Sequence, residues 1–396
     1  MIQPSPPSVN IHSMIRELHI NNYKSLHELT LDVGRFNVFI GENGCGKSNL
    51  LEAIALAAAA AADKLDNEFL VSRGIRVTEP QLMRSAFNHD YLQEPITISV
   101  GFESLDPVGK YTLININQPY SKWDRLRDFD LDAYLRNITK IPKNPDSEDF
   151  IANSFRASKR QAKEDIRRFI SIKDNEDKLK NFIIYSPENT ALRNFYKEGQ
   201  IEPLGINGEG LLKLLKVIQS KSDEQRQEIH ACLQLFDWYD ALEIPKDLSA
   251  SEDRVTITDR YLTLVFDQRS ANEGFLFVLF YIALMVSDDT PKIFAIDNID
   301  TSLNPKLCTR LIKEMVRLAK KYGKQVFVTT HNPAILDGID LGDDEQRLLV
   351  VSRNKQGHTR FKRITLKDKP RSSTNEDLKL SEAFLRGYLG GLPKGF

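Results

Sequence analysis

The chain has 396 residues and a formal net charge of −1 at pH 7, with 41% apolar and 28% charged residues. This length exceeds the usual size of one hydrophobic core, so we expect two domains or one large domain with an insertion. Near-neutral charge and ordinary apolar content exclude a globally polybasic, a fibrous and a fully disordered protein, so any surface for nucleic acid must be local.

The cysteine spacing and the apolar runs indicate a cytoplasmic protein. Cys45, Cys232 and Cys308 are too widely spaced for a metal motif or a disulfide framework, which is typical of a reducing compartment. Residues 1–13 are rich in proline and serine and predict a disordered arm without a signal peptide. The longest apolar run, residues 275–286, is too short to span a bilayer and predicts a buried helix.

The first elements lead into a P-loop. Residues 15–20 alternate as a half-buried strand does, residues 21–26 are expected to turn, residues 29–31 start a second strand, and residues 35–40 form an apolar third. Residues 41–48, GENGCGKS, then fit the pattern G-x-x-x-x-G-K-[ST], and an alanine-rich helix follows.

This strand–loop–helix context is what a phosphate cradle requires. Glycines let backbone N–H groups converge on an anion, and the helix N-terminus adds its positive partial charge. We expect Lys47 to reach the β- and γ-phosphates of ATP and Ser48 to supply an oxygen to Mg²⁺. The predicted nucleotide contacts here are Glu42, Asn43, Gly44, Cys45, Gly46, Lys47, Ser48 and Asn49.

The phrase INNYKSL at residues 20–26, ahead of a G-x-N-G-x-G-K-S loop, resembles the start of the RecF, SMC and OLD families of ABC-type ATPases. The resemblance implies an α/β fold: an ABC-type P-loop NTPase with a mixed central sheet, an antiparallel β subdomain and an inserted helical subdomain. It also implies that Lys24 lies near the nucleotide, the alternative being a solvated turn lysine. A glutamine downstream of the P-loop contacts Mg²⁺ in such proteins; Gln81 is the candidate, with Gln93 behind it, unless these are surface amides.

The composition changes in the middle of the chain. Residues 96–102 and 111–116 predict a β-hairpin, after which charges crowd in and glycine disappears. We therefore assign residues 14–120 and 251–396 to the ATPase core and residues 121–250 to a helical insertion that returns to the core. Residues 155–170 carry a basic face, which is either simply solvated or an arm that contacts DNA or a partner.

A second group of residues is expected to complete the site. Residues 269–276, between a predicted hairpin at 255–266 and the apolar helix, resemble the signature loop with which ABC-type ATPases cap the γ-phosphate held by the opposite subunit. The predicted contacts are Asn272, Glu273 and Gly274. Either Asn272 replaces the usual serine, or Ser270 is that serine with two extra residues after it; an ordinary helix cap is the alternative.

The strand at residues 291–297 ends in Asp297 and resembles a Walker B strand, and residues 300–305 resemble the D-loop of this superfamily. Asp297 can hold Mg²⁺ beside Ser48. ABC-type ATPases usually carry glutamate next, and here it is Asn298. Because an amide can orient water but cannot accept its proton at neutral pH, we predict slow hydrolysis and a persistent ATP-bound state, unless Asp300 or Glu273 substitutes.

A third apolar strand, residues 324–330, runs into His331. A histidine here contacts the γ-phosphate in ABC-type and OLD-like ATPases, which the chemistry of imidazole permits. Asp297, Asn298 and His331 are therefore the candidate catalytic residues. Residues 348–352 and 359–364 predict a basic terminal hairpin, which either contacts phosphates or uses its charges to protect a sheet edge.

The motif order resembles stand-alone ATPase subunits of bacterial antiphage systems of the Septu and PARIS type. That implies an ATP- and Mg²⁺-binding protein that forms a homodimer or higher homo-oligomer around nucleotide and restrains a separate effector, a nuclease or toxin, without a membrane partner. The alternative is a RecF- or SMC-like ATPase that binds DNA in repair. A transporter ATPase is a third class, against which the helical insertion and terminal hairpin argue.

Overall fold

The computed structural model describes residues 14–102, 109–118, 121–126, 173–174, 176–193, 204–244, 254–370 and 378–392. The strands are β1 (Ile15–Tyr23), β2 (Leu26–Asp32), β3 (Phe36–Gly41), β4 (Ile96–Phe102), β5 (Gly109–Ile114), β6 (Asp124–Leu126), β7 (Ile184–Tyr185), β8 (Tyr239–Glu243), β9 (Thr256–Asp259), β10 (Phe266–Asp267), β11 (Ile293–Ile296), β12 (Gln325–Thr330), β13 (Gln346–Arg353) and β14 (Thr359–Ile364). The helices are α1 (Lys47–Ala61), α2 (Asn67–Ser72), α3 (Pro80–Met83), α4 (Asn189–Arg193), α5 (Leu211–Lys221), α6 (Asp223–Leu233), α7 (Glu273–Val286), α8 (Pro305–Tyr322) and α9 (Leu380–Leu385).

A six-stranded mixed sheet organises the fold, with strand order β14-β13-β3-β12-β11-β7. Neighbouring strands from β13 to β7 are parallel, and β14 is antiparallel at the edge. Parallel strands end at the same edge of a sheet. The loops that follow β3, β12 and β11 are therefore neighbours, although their residues are far apart in the sequence.

The central strands are buried on both faces, as their continuous apolar sequences predict. Because side chains alternate along a strand, Phe39 and Phe327 pack with α1 on one face, while Val38 and Val328 pack with α7 on the other. Residues 274–286 of α7 are all buried, which confirms the predicted buried helix. Among the described residues, no helix combines the length and hydrophobicity needed to cross a membrane.

The second sheet is antiparallel, with strand order β2-β1-β4-β5-β6. Helix α1 lies between this sheet and the mixed sheet, and its run of buried alanines lets both sheets approach closely. A third, three-stranded sheet, β10-β9-β8, is also antiparallel. The mixed central sheet and the antiparallel β subdomain agree with the predicted fold class.

Several boundaries differ from the sequence predictions. β1 continues to Tyr23, which pairs with Leu26, so the predicted six-residue turn shrinks to Lys24 and Ser25. In the second half of the predicted hairpin at 255–266, only Phe266 pairs with β9. The cause is tertiary: strand pairing extends β1, whereas residues 261–265 find no strand to pair with among the described residues.

The predicted insertion, residues 121–250, contains strands as well as helices. β6 pairs with β5, β7 with β11, and β8 with β9, so the described parts of this region join all three sheets. Helices α5 and α6 belong to the same core as α7. The predicted arm at 1–13 and the basic face at 155–170 lie outside the described residues, and the insertion boundaries stay a prediction.

Candidate functional site

The loop between β3 and α1 has the backbone geometry of an anion cradle. Gly44 and Gly46 have φ of 75° and 109°, which L side chains rarely adopt. A Cβ on Gly46 would lie 2.2 Å from Thr359 Oγ1, whereas a Cβ on Gly44 would meet no described atom within 4 Å. Only glycine fits at position 46, and the loop is open beside position 44.

Helix α1 begins at Lys47 with its N-terminus directed to this loop. Gly46 is the N-cap, and within the described structure no side chain caps the helix and no acidic residue lies in its first turn. The orphan N–H groups and the positive end of the helix therefore face the loop, and no acidic side chain in the first turn of the helix itself neutralises them. This is the environment that a phosphate group requires.

Lys47 is 5% exposed and lies against the loop that precedes it. Its Nζ donates hydrogen bonds to the carbonyl oxygens of Gly41, at 2.9 Å, and Glu42, at 3.0 Å. Burial lowers the pKa of Lys47, while neighbouring groups, including Asp297 and Asp300, raise it. The ammonium group is thus held at the cradle, within electrostatic range of both aspartates.

Ser48 and Asp297 meet as the sequence predicts. Ser48 Oγ lies 3.0 Å from Asp297 Oδ2 and 3.2 Å from Oδ1. Thr329, in the neighbouring strand β12, donates a hydrogen bond to Asp297 Oδ1 and orients the carboxylate. A hydroxyl and a carboxylate oxygen side by side suit a hard divalent cation such as Mg²⁺.

Asn298 opens the turn that leads into the D-loop. Its φ is 55°, a left-handed conformation that asparagine tolerates better than most residues. The Asn298 N–H donates to Thr329 Oγ1 at 2.9 Å, and its carbonyl accepts from Thr301. The Asn298 side chain is exposed and takes no part in these backbone hydrogen bonds.

His331 follows β12 at the same edge. Burial lowers its pKa and the Lys47 charge lowers it further, whereas Asp300 and Asp297 act in the opposite direction. The imidazole is exposed at this edge of the sheet, within electrostatic range of Lys47 and both aspartates. Asp300 itself accepts hydrogen bonds from Thr330 Oγ1, at 2.6 Å, and from the His331 N–H, at 3.3 Å.

The signature-like loop forms the start of α7. Asn272 is the N-cap, and its Oδ1 accepts a hydrogen bond from the Phe275 N–H at 2.8 Å. A Cβ on Gly274 would lie 3.0 Å from the Ser302 carbonyl oxygen, so this loop packs against the D-loop of its own chain. Among the described residues, no hydrogen bond joins Asn272, Glu273 or Gly274 to residues 41–48.

Sequence reasoning missed a buried ion cluster beside the cradle. Glu52, 2% exposed, accepts hydrogen bonds from Lys24, Arg76 and Tyr23. Arg76 Nη2 also donates to Asn49 Oδ1 at 3.3 Å, and its side chain remains 64% exposed. The only available signal was a glutamate inside an apolar helix, which requires partners when it is buried.

The predicted role of Gln81 or Gln93 at Mg²⁺ stays a prediction. Gln81 lies exposed on α3, and among the described residues it makes no hydrogen bond to Ser48 or Asp297. Gln93 Oε1 accepts from Asn117 Nδ2 at 3.5 Å, in a loop at the edge of the antiparallel sheet. Lys24 pairs with Glu52 of α1, the helix that begins at the cradle, and shares this carboxylate with Arg76.

The terminal hairpin β13–β14 supports the cradle from the side. Arg353 Nε donates to the Gly44 carbonyl oxygen at 2.8 Å, and Thr359 Oγ1 contacts the Cys45 carbonyl and Ser25 Oγ, both at 2.7 Å. Two other basic residues of the hairpin are paired with acidic residues, Lys362 with Asp368 and Arg363 with Asp344.

Comparisons with known proteins agree with this geometry. The protein-family model described as "AAA domain, putative AbiEii toxin, Type IV TA system" matches residues 36–337. A solved SMC head bound to the C-winged helix domain of ScpA is 14% identical, with a TM-score of 0.53, covering 89% of this chain and 98% of that chain. An SMC head with an extended coiled coil bound to the C-terminal domain of ScpA from Pyrococcus furiosus is also 14% identical, with a TM-score of 0.50 and coverages of 89% and 96%. No curated protein matches the chain. At these identities the solved structures show the fold alone, which is that of the SMC head domain.

Proposed function

The chain belongs to the AAA_21 family of AAA domains, and from this premise we propose that it binds ATP with Mg²⁺ at the Ser48–Asp297 edge of the mixed sheet. One observation carries the proposal: the Ser48 hydroxyl and the Asp297 carboxylate lie 3.0 Å apart beside an uncapped helix N-terminus. Both the anion and the cation of Mg-ATP find their matching groups within this one loop cluster.

The residues present fit the nucleotide group by group. Lys47 and the backbone amides of residues 44–48 would hold the β- and γ-phosphates, and Ser48 with Asp297 would hold Mg²⁺, which neutralises phosphate charge. Arg76 and Lys24 would add positive charge at the first turns of α1. Arg76 is the better candidate for a direct contact, because its guanidinium is exposed while its Nε is anchored on Glu52.

The complete site needs two copies of the chain. The Asn272–Gly274 loop packs against its own D-loop and, among the described residues, makes no hydrogen bond to its own cradle, while the α7 N-terminus offers a second set of phosphate-binding groups. In the proposed homodimer, or higher homo-oligomer, each copy supplies Lys47, Ser48, Asp297 and His331 to one nucleotide and Asn272–Gly274 to the other. Nucleotide occupancy then sets how the copies sit together.

Hydrolysis at this site is slow in our proposal. Asn298 can orient a water molecule but cannot take its proton, and Asp300 is already engaged by Thr330 and the His331 backbone. Glu273, in the first turn of α7, is an alternative acid. His331 would contact the γ-phosphate and register its loss.

We propose that the ATP-dependent assembly is a sensor and regulatory scaffold for a separate effector, a nuclease or toxin, in cytoplasmic antiphage defence of the OLD, Septu or PARIS kind. Two observations support it. The matching family carries the name of a toxin and a TA system, and the two SMC heads of the same fold are titled as complexes with a ScpA domain. Co-expression with the product of a neighbouring gene, with and without Lys47→Ala, tests whether nucleotide controls such a complex.

The nucleotide proposal is tested first by calorimetric titration of ATP with and without Mg²⁺. Wild type is expected to bind, Lys47→Ala to lose at least tenfold in affinity, and Lys313→Ala, an exposed lysine on α8, to match wild type. Sedimentation with Mg-ATP then measures assembly. If wild type shows no adenine-nucleotide binding, or binds without associating, the proposal is wrong in its first or second part respectively.

A second candidate is an ATPase that binds DNA, as in RecF and SMC proteins. The exposed Arg360 and Lys362 on edge strand β14 favour it, although Asp368 and Asp344 offset part of the charge on this strand. Charge reversal at Arg360, Lys362 and Arg363 should then abolish a salt-dependent affinity for duplex DNA. If the wild-type protein does not bind duplex DNA at low salt, the DNA-binding function is excluded.

A further inference from the structure

The loop between β9 and β10, which we call the apolar tip, consists of residues 261–265. Tyr261 and Leu264 are each 78% exposed, and Leu262 and Val265 are more than half exposed. The remaining residue of the tip is Thr263, so none of its five side chains carries a charge. Four large apolar side chains on five consecutive exposed positions are unusual on a water-facing loop.

Hydrogen bonds order the backbone at the start of the tip. Tyr261 N–H donates to Asp259 Oδ1 at 2.8 Å, and Leu262 N–H donates to the Asp259 carbonyl, so a local turn orders its first half. The Arg260 N–H donates to the Trp238 carbonyl oxygen at 2.9 Å. These contacts fix the path of the backbone and leave the apolar side chains directed outward.

Aromatic packing ties the hairpin that bears the tip to the signature-like loop. Trp238 packs against Phe266 of β10 and against Phe275 in the first turn of α7, with ring centroids 6.2 and 5.2 Å apart. Only the short turn after β10 separates Asp267 from the α7 N-cap Asn272. The two-residue strand β10 and this turn therefore connect the tip to the signature-like loop.

The other half of the composite site is also flanked by exposed apolar side chains. Val71 on α2 is 52% exposed and Leu82 on α3 is 58% exposed. These helices border the cradle: the Met83 carbonyl accepts from the Lys24 N–H, and Arg76 lies between them. In a two-fold assembly, whatever borders one copy's Asn272–Gly274 loop comes to the region that borders the other copy's cradle.

We propose that the apolar tip is a docking element for a second copy of this chain, seated on the α2–α3 surface beside the partner's cradle when ATP joins the two. This inference rests on the proposed function. In the assembly, the tip buries apolar surface between the two copies, which contacts with the nucleotide alone do not do. The uncharged, apolar tip is chemically complementary to the exposed apolar side chains of Val71 on α2 and Leu82 on α3. A separate effector protein is the competing occupant, which the test below distinguishes.

The test compares the full chain with the double variant Tyr261→Asp/Leu264→Asp. The matched control is Leu385→Asp/Tyr388→Asp, which alters two comparably exposed apolar residues at the C-terminal end. Sedimentation with Mg-ATP should show dimerisation weakened at least tenfold in the tip variant and unchanged in the control. Nucleotide affinity of the monomer, measured at low protein concentration, should remain that of wild type, which also shows that the variant is folded.

A second measurement maps the contact. All three native cysteines are buried, so Thr263→Cys can be labelled selectively with a photoreactive group. With Mg-ATP, the crosslink should join the tip to residues 67–83 of another copy. A tip variant that dimerises like wild type, or a crosslink found elsewhere, overturns the inference while leaving the proposed function standing; a wild type that binds ATP without dimerising overturns the dimer proposal itself.

Discussion

The Ser48 hydroxyl lies 3.0 Å from the Asp297 carboxylate, although the two residues are 249 positions apart in the chain. The parallel neighbours β3, β12 and β11 produce this contact, since their carboxyl ends share one edge of the sheet. Thr329 of β12 adds a further connection to the end of β11, because its side chain contacts both Asp297 and the backbone of Asn298. The predicted cation site is therefore a property of strand order.

Replacing Asp297 by Asn should remove the effect of Mg²⁺ on nucleotide binding. The amide keeps the shape but not the charge of the carboxylate, so the Mg²⁺-dependent gain in ATP affinity should fall by at least tenfold while binding without Mg²⁺ changes little. Calorimetric titrations with and without Mg²⁺ measure the difference. Asp289→Asn, at an exposed aspartate before β11, should behave as wild type; equal Mg²⁺ dependence in both variants would contradict the assignment.

Asn298 should be probed with glycine, because its φ is 55°. Asn298→Gly removes the amide without strain, and if that amide orients water, single-turnover hydrolysis should slow about tenfold at unchanged melting temperature. Asn298→Val should instead destabilise the fold by about 1–2 kcal/mol through backbone strain alone. Fast wild-type turnover that Asn298→Gly leaves intact would falsify the predicted role.

Thr359 should matter for both stability and nucleotide binding. Its hydroxyl contacts the Cys45 carbonyl and Ser25, and it occupies the space that a Cβ on Gly46 would need. Thr359→Val keeps the shape and leaves buried polar groups unpaired, so the free energy of unfolding should drop by about 1–3 kcal/mol. ATP affinity should fall with it if β14 supports the cradle.

Urea unfolding and ATP titration of Thr359→Val provide the two readouts. Thr365→Val, on the segment that follows β14 and away from the cradle, is the control: it should lose stability without losing affinity. A Thr359→Val protein that binds ATP as tightly as wild type would show that the hairpin supports the fold but not the site.

ATP binding should take up a proton at His331. Burial and the Lys47 charge lower the pKa of His331, so the imidazole is neutral at pH 7. Because the folded-state pKa is depressed, the stability contributed by neutral His331 is present above its ordinary pKa and is lost as pH falls through the lowered one. A γ-phosphate beside the ring would reverse the shift and raise this pKa.

Affinity for ATP should therefore rise as pH falls from about 7.5 to about 6, the range in which histidine titrates. Calorimetry in buffers of different ionisation enthalpy measures the proton uptake directly. His331→Gln removes the titrating group, so this variant should take up fewer protons on binding ATP than wild type, the difference being the protons that His331 binds. Identical uptake in the two proteins would exclude contact between His331 and the phosphate.

The sequence alone determined the parts whose geometry is local. A P-loop, a Walker B aspartate and a buried apolar helix each lie within one continuous segment, and their residue types restrict backbone conformation or burial directly. Gly46 shows this, since its φ of 109° is written into the motif. The resemblance to ABC-type ATPases implied the mixed sheet, and the P-loop and Walker B matches together predicted that Asp297 lies beside Ser48.

Only the tertiary structure decided which distant residues surround that site. Arg353 and Thr359 reach the cradle because β13 lies beside β3, and Glu52 collects Lys24 and Arg76 because α1 packs against the β1–β2 turn. Neither arrangement has a local signature, because a side chain's partners across a sheet depend on strand order and packing rather than on its sequence neighbours. For the same reason, residues 261–265 have the pattern of a strand but form an exposed tip, because no strand in the described part of the chain lies beside them to complete the pairing.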